Sequence, residues 1–275
     1  MLKGGLGNQL FQFGAALRLA RGDTKKIKFY LDHLGPRKFR FPEIFPVESL
    51  PAILNNLEFQ EIVKRGDAKL ISDVNNNPYT NQNLLDIEID LTRQDIFLDG
   101  YFQTGRHLRQ LVDFVEKLNG LDSCPIMQGQ QNHIPPALSV HIRLGDYRKL
   151  DVQQQIGAIN FGYFDKVISE EIALGKRVVI YSDEPVEARK IFASPEIEAS
   201  EEQDDLAVFR HFMLAEKLLI PNSTFSLCAA YLSNRLYTLI RPARWTRKIS
   251  SDELLFGFRG KLRIVANTFF DVNVA

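Results

Sequence analysis

Ala137-Leu138-Ser139-Val140-His141-Ile142-Arg143-Leu144-Gly145-Asp146-Tyr147 is the stretch on which the fold turns. An apolar run closes in a guanidinium, a glycine and a carboxylate, as expected of a buried strand that delivers polar groups to one end of a sheet. Further apolar strands are read at 177–181, 217–220 and 235–240. Helical spacing falls between several of them, for example at Leu206, Phe209, Arg210 and Met213. Strands alternating with helices predict an α/β fold whose parallel sheet is covered on both faces.

Upstream of this region, residues 119–136 are rich in Gly, Gln, Asn and Pro, the composition of a linker, and a domain boundary is placed there. On its N-terminal side, Leu10, Phe13, Gly14, Leu17 and Ala20 recur at helical spacing, predicting a helix over 10–20. It follows a loop, Gly4-Gly5-Leu6-Gly7-Asn8-Gln9, whose glycines permit positive φ and a close backbone approach to a ligand. Only Met1-Leu2-Lys3 precede that loop, so the strand expected before it is very short or clipped. Strands are also read at 27–31, ending near Asp32, and at 96–98. A helix is read over 105–118, with Leu108, Leu111, Val112 and Val115 on one face.

The chain has 275 residues, room for two ordinary domains, and is 45% hydrophobic and 25% charged, a globular composition. Its 34 basic residues balance 34 acidic ones, whereas nucleic-acid binding calls for a basic excess; any anion site must concentrate its cations locally. Two cysteines, Cys124 and Cys228, are too few for a disulfide framework and fit a reducing compartment. No apolar run is long enough to span a bilayer and no signal-peptide core is seen, so a soluble, cytoplasmic protein is expected, with peripheral membrane association left open.

Three polar clusters each follow an apolar strand: Arg143 to Asp146, Ser182-Asp183-Glu184, and Asn222-Ser223-Thr224. In open parallel sheets ligands bind beyond the carboxyl ends of the strands, so the three are expected to face one crevice. Arg143 offers a planar fork for two phosphate oxygens, with His141 one alternation away on the same face. Ser223 and Thr224, at the start of a helix running to about Leu232, suit an anion. Asp183 or Glu184 is placed to accept from a guanine edge or a ribose hydroxyl. Each cluster also has a plainer reading: Arg143–Asp146 as a surface pair, and the other two as helix caps. His33, His107, His133 and His211 show no metal-ligand spacing. Asp86, Glu88 and Asp90 alternate with isoleucine, as an exposed strand edge or, less simply, an acidic cation site.

Taken together, these residues resemble the α-1,2-fucosyltransferases of glycosyltransferase family 11. Gly4-Gly5-Leu6-Gly7-Asn8-Gln9-Leu10-Phe11-Gln12 is similar to that family's N-terminal loop and helix, and Asp99-Gly100-Tyr101-Phe102-Gln103 to its Glu-Gly-Tyr-Trp-Gln stretch. His141-Ile142-Arg143-Leu144-Gly145-Asp146-Tyr147 resembles the His-x-Arg-Arg-Gly-Asp-Tyr motif of enzymes that use GDP-fucose. Tyr181-Ser182-Asp183-Glu184, then Asn222-Ser223-Thr224-Phe225-Ser226 through Leu232, and Pro242-Ala243-Arg244-Trp245 follow in the family's order.

The resemblance implies a GT-B-like architecture, two Rossmann-like domains facing each other across a cleft: an acceptor-side domain over 1–125 and a GDP-fucose domain over 137–245, with 246–275 unplaced. It implies inverting transfer of L-fucose from GDP-β-L-fucose to the 2-hydroxyl of a galactose-containing oligosaccharide; because the donor-side clusters offer a guanidinium and helix-terminus amides and no metal-type acidic motif, activity without a metal or other cofactor is expected. Arg143 would be the catalytic cation. His141, Asp146, Asp183, Glu184, Asn222, Ser223 and Thr224 would hold the donor, and Gly5, Gly7, Asn8 and Gln9 would form an active-site loop. Leu144 departs from the family by replacing its second arginine. Asp32, His33 and Asp99 are candidate bases. Two rival readings are a non-catalytic GDP-sugar or lectin-like module, and a metal-dependent GT-A transferase using Asp86-Ile87-Glu88-Ile89-Asp90.

Overall fold

In the computed structural model, residues 1–72, 95–128, 136–233, 238–247, 252–255 and 257–270 are described. The chain divides into two units, Met1–Gln128 with Leu254–Phe258, and Gly129–Glu253 with Arg259–Ala275. The strand edge read at 86–90, His133, and the last five residues lie outside the described residues.

The first unit contains α1 (Leu6–Leu19), β1 (Lys28–Phe29), α2 (Phe41–Ile44), β2 (Ala52–Ile53), α3 (Asn56–Arg65), β3 (Lys69–Ser72), β4 (Ile96–Asp99) and α4 (Gly105–Lys117). β1 pairs with β2 and β3 with β4, both parallel. Leu10, Phe13 and Leu17 of α1 are buried with Leu108, Leu111 and Phe114 of α4, and Phe13 meets the edges of Phe29 and Phe114 at 5.2 Å.

The helix read over 10–20 starts four residues earlier. Gly4 turns the chain at φ +79 and Gly5 is extended, so the helix begins at Leu6. The reading of Gly7, Asn8 and Gln9 as a loop is thereby corrected: they form the first turn of α1. Gln9 is fully buried, and its amide donates to the carbonyls of Gly4 and Lys38 at 3.0 and 3.1 Å, which ties the turn to the chain beyond it.

The second unit contains β5 (Leu138–Ile142), α5 (Leu150–Gln155), α6 (Gly162–Ala173), β6 (Val178–Ser182), α7 (Pro185–Ile191), β7 (Ile197–Ala199), α8 (Asp205–Leu214), β8 (Lys217–Leu219), α9 (Thr224–Leu232), β9 (Thr238–Pro242) and β10 (Lys261–Val265). Among the described residues its six strands are all parallel, in the order β10-β9-β8-β5-β6-β7. Numbered from β5 as the first strand, this is the 3-2-1-4-5-6 order of a doubly wound dinucleotide-type sheet, with its switch point between β5 and β8. The α/β class with a parallel sheet, expected from the alternation of strands and helices, is therefore what the chain adopts.

β5 is buried along its whole length because helices cover both faces. Leu138, Val140, Ile142 and Leu144 join a core with Tyr163, Phe164 and Val167 of α6. On the other face the His141 ring meets Phe212 of α8 at 5.1 Å and Phe225 of α9 at 5.8 Å. Period-two alternation thus sends Leu144 to the core and Arg143 outward.

The closest approach of α1 and α4 yields a test. A Cβ on Gly14 would lie 2.2 Å from the His107 carbonyl oxygen, backbone that cannot yield without separating the helices. Gly14→Ala is expected to destabilise the protein by about 1–3 kcal/mol despite its better helix propensity, read by thermal unfolding. An unchanged or raised Tm would contradict this packing.

Candidate active site at the sheet switch point

The three expected clusters stand at the carboxyl ends of β5, β6 and β8, the three adjacent central strands. Arg143, just past β5, pairs through Nη2 with Asp146 Oδ1 at 2.5 Å and through Nη1 with Asp183 Oδ2 at 3.1 Å. The other Asp183 oxygen accepts from the Leu144 backbone N–H at 2.9 Å. One carboxylate thus aligns the guanidinium and ties the end of β6 to the end of β5. Burial opposes the charge on Arg143, but Asp183 and then Asp146 outweigh it and hold the pKa above the ordinary arginine value. Gly145 lets the segments meet, since a Cβ there would lie 2.8 Å from Asp183 Oδ2.

Tyr147 extends the cluster toward β8. Its ring lies 5.7 Å from the Arg143 guanidinium, and its hydroxyl donates to the Asn222 carbonyl at 2.7 Å. Asn222 is buried, and its amide donates to the Gly157 carbonyl at 2.8 Å. Its Oδ1 is buried without a protein partner. Ser223 occupies the cap position of α9, yet its side chain makes no capping bond. Glu184, at the cap position of α7, makes none either, while its N–H donates to Ser182 Oγ at 3.1 Å. The plainer reading of both clusters as side-chain caps is therefore not what holds them.

His141 takes a different place from the one expected of a donor-binding group. Its ring is buried between α8 and α9, with Nδ1 2.8 Å from Ser226 Oγ, and burial, then the Arg143 charge, hold its pKa well below the ordinary histidine value. Helix packing closes that face of β5 to solvent, so the ring lies beneath the strand end. No group of three or more His, Cys, Asp or Glu among the described residues is placed to hold a metal ion.

No family model matches the chain, and no curated protein matches it. Among solved structures, it is similar to the E. coli heptosyltransferase WaaC with ADP at 10% identity and TM-score 0.48, over 96% of this chain and 91% of that one. It is also similar to POFUT1 in complex with GDP at 12% identity and TM-score 0.45, over 95% of this chain and 96% of that one. A second POFUT1–GDP structure gives 14% identity and TM-score 0.40, over 83% and 91%. With every TM-score below 0.5, the chemistry of the residues themselves has to carry the functional assignment.

The first unit has a polar cluster of its own. Lys3 Nζ pairs with Asp99 at 2.8 Å, and Gln103 donates to Asn8 Oδ1 at 2.8 Å. A Cβ on Gly4 would lie 2.7 Å from Asn8 Nδ2 and 3.1 Å from the Tyr101 ring. The Gly4–Gln9 and Asp99–Gln103 stretches, 90 residues apart in sequence, therefore meet. Asp32 accepts from the Tyr30 hydroxyl at 3.3 Å, and His33 is exposed. Tyr147, Gly157, Ser226, Lys3 and Gln103 are supports to which the sequence analysis gave no role, although Tyr147, Ser226 and Gln103 lie within the stretches that carry the family resemblance.

The dual role of Asp183 changes what its removal should do. Asp183→Ala strips the Leu144 amide and Arg143 of a shared, partly buried partner, and an expected stability loss of about 1–2 kcal/mol follows. Asp183→Asn keeps an acceptor for the amide and should lose less. Chemical denaturation of both variants checks this, and a fully stable Asp183→Ala would show that the carboxylate does not hold the strand ends.

Proposed function

We propose that the chain is an inverting glycosyltransferase that moves L-fucose from GDP-β-L-fucose to the 2-hydroxyl of a terminal galactoside. The observation that carries this reading is an oriented guanidinium, Arg143, at the switch point of a 3-2-1-4-5-6 sheet, where such folds receive a nucleotide. The ordered resemblance of six sequence stretches to the fucosyltransferase family narrows the nucleotide sugar to GDP-fucose. The same resemblance supports a GT-B-like arrangement, with 1–125 serving the acceptor and 137–245 the donor.

In this reading the bond from the fucose anomeric carbon to the diphosphate oxygen breaks while the acceptor oxygen bonds to that carbon from the opposite side. The departing GDP gains negative charge, and Arg143 stabilises it, preorganised by Asp183. Ser223 and Thr224 at the start of α9 and the Asn222 amide support the diphosphate side. Glu184, exposed and making no capping bond, is the better group for the nucleoside, since both Asp183 oxygens are engaged. The acceptor proton passes to a carboxylate or histidine of the first unit; Asp99, Asp32 and His33 are the candidates. The chain would act on its substrates without a metal or cofactor.

Arg143 and Leu144 provide the decisive contrast. Arg143→Ala is expected to lower turnover of GDP-fucose by about two to three orders of magnitude in a folded protein. Arg143→Lys should recover little, because a point charge lacks the planar fork. Leu144→Ala, in the core, should cost about 2–5 kcal/mol of stability and leave turnover near wild type at a temperature where it is folded. Near-normal turnover by folded Arg143→Ala would overturn the site. Binding of GDP-fucose without any transfer to β-1,3- or β-1,4-linked galactosides would favour the non-catalytic module instead.

Because a guanidinium and the start of a helix serve the diphosphate, transfer is expected to be insensitive to a chelator. Activity lost on chelation and restored only by manganese or magnesium would overturn that and favour the metal-dependent alternative.

A further inference from the structure

In the second unit, the segment that follows β10, residues 266–270, lies along the connection between α5 and α6 as a short antiparallel strap. Ile159 and Phe269 bridge in that sense. The Asn160 N–H donates to the Thr268 carbonyl at 2.9 Å, and the Phe270 N–H to the Ala158 carbonyl at 3.0 Å. Arg244 and Arg247, just beyond β9, secure the strap. The Arg244 N–H donates to Asn267 Oδ1 at 2.9 Å. The Arg247 guanidinium lies 5.5 Å from the centre of the Phe269 ring and donates to the carbonyls of Gln153, at 3.1 Å, and Phe270. One cation thus ties α5 to the strap.

Phe269 in turn meets Gly157. A Cβ on Gly157 would lie 2.6 Å from Phe269 Cδ1, and the glycine stands at φ +88, which side-chain-bearing residues rarely adopt. The ring therefore sits directly on the Gly157 backbone. The Gly157 carbonyl accepts from the buried Asn222 amide at 2.8 Å, and the Asn222 carbonyl accepts from the Tyr147 hydroxyl at 2.7 Å. Tyr147 reaches Arg143, while Ser223 and Thr224 directly follow Asn222 in the chain. Asn222 thus has its side chain committed to the strapped loop and its main chain to the site. Moving Gly157 would leave a buried amide without its acceptor, so the segment before α9 has to follow the loop.

We propose that Phe269 is a positioning residue of the candidate site, held by Arg247 and acting through Gly157 on Asn222, and so on Tyr147 and the start of α9. This role, which rests on the reading of Arg143, Ser223 and Thr224 as the diphosphate site, requires no contact between Phe269 and a ligand. The ring fixes the acceptor of the Asn222 amide, and a site that meets a diphosphate with preformed donors depends on such fixing.

Calorimetric titration of the full chain with GDP, beside kinetics of transfer from GDP-fucose to a β-1,4-linked galactoside, tests this. Phe269→Ala is expected to weaken GDP binding about tenfold and to raise KM for GDP-fucose in step, with kcat changed less. Phe269→Tyr, which keeps the ring over Gly157, should stay at the wild-type values. Arg247→Met keeps the stem but loses the bonds that hold the strap. It should shift affinity the same way, and it carries the test if Phe269→Ala does not fold. In an Asn222→Ala background Phe269→Ala should weaken GDP little further, because the two act in series. A lowered Tm with GDP affinity at the wild-type value, or losses that simply add in the double variant, would overturn the proposal. GDP binding lost in Arg143→Ala but unchanged in Phe269→Ala would strike the role of Phe269 alone. A wild-type chain that binds no GDP would strike the diphosphate site and this role with it.

Discussion

The Asp183 carboxylate is the constraint on which the site depends. It ends β6, accepts the N–H that follows β5, and presents its second oxygen to Arg143. Two strand ends that would otherwise fray as independent loops are fixed to each other, and the cation is fixed with them. Gly145 follows as a necessity, because any side chain there would collide with that carboxylate. So does the division of labour between neighbours: with the strand end pinned, alternation buries Leu144 and turns Arg143 out. A hydrogen bond from a backbone amide to an ionised group contributes more than an exposed ion pair does, so the Leu144 contact is what anchors the arrangement.

The sheet that carries this site was largely legible because its strands are apolar runs, buried on both faces, and each ends in polar residues. The strand read at 137–142 is β5 at 138–142, and those read at 177–181 and 217–220 are β6 and β8. Strand order was not legible, since nothing local states which strand lies beside which; the switch point emerged only from the pairing of β5 with both β6 and β8. The start of α1 was misjudged because glycine argued for a loop, while burial of Gln9 and its two bonds to carbonyls, invisible in sequence, pulled Gly7 and Asn8 into helix. His141, expected among the donor-binding groups, has its ring buried, for a related reason. Alternation correctly places it on the same side of the strand as Arg143, but cannot say that Phe212 and Phe225 close over it.

A local cation in a chain of zero net charge raises a competition that magnitudes can decide. Arg143 is bracketed by two carboxylates, so a diphosphate bound as proposed would have to share or displace one of them. Asp146 is three residues away, its side chain 37% exposed, and its pairing with Arg143 is of the kind that contributes about 0–1 kcal/mol. The Asp183 side chain, 25% exposed although the residue as a whole is exposed, has a second bond to the Leu144 amide and so is held independently of Arg143. An anion bound as proposed would therefore displace Asp146 at small cost and leave Asp183 in place behind the guanidinium. Asp146 and Asp183 together hold the Arg143 guanidinium in one place, which would spare part of the side-chain ordering that binding otherwise requires. Under the proposed donor role, the carboxylates that look like rivals of the ligand are what would let a single arginine, with Leu144 beside it in the core, serve the site.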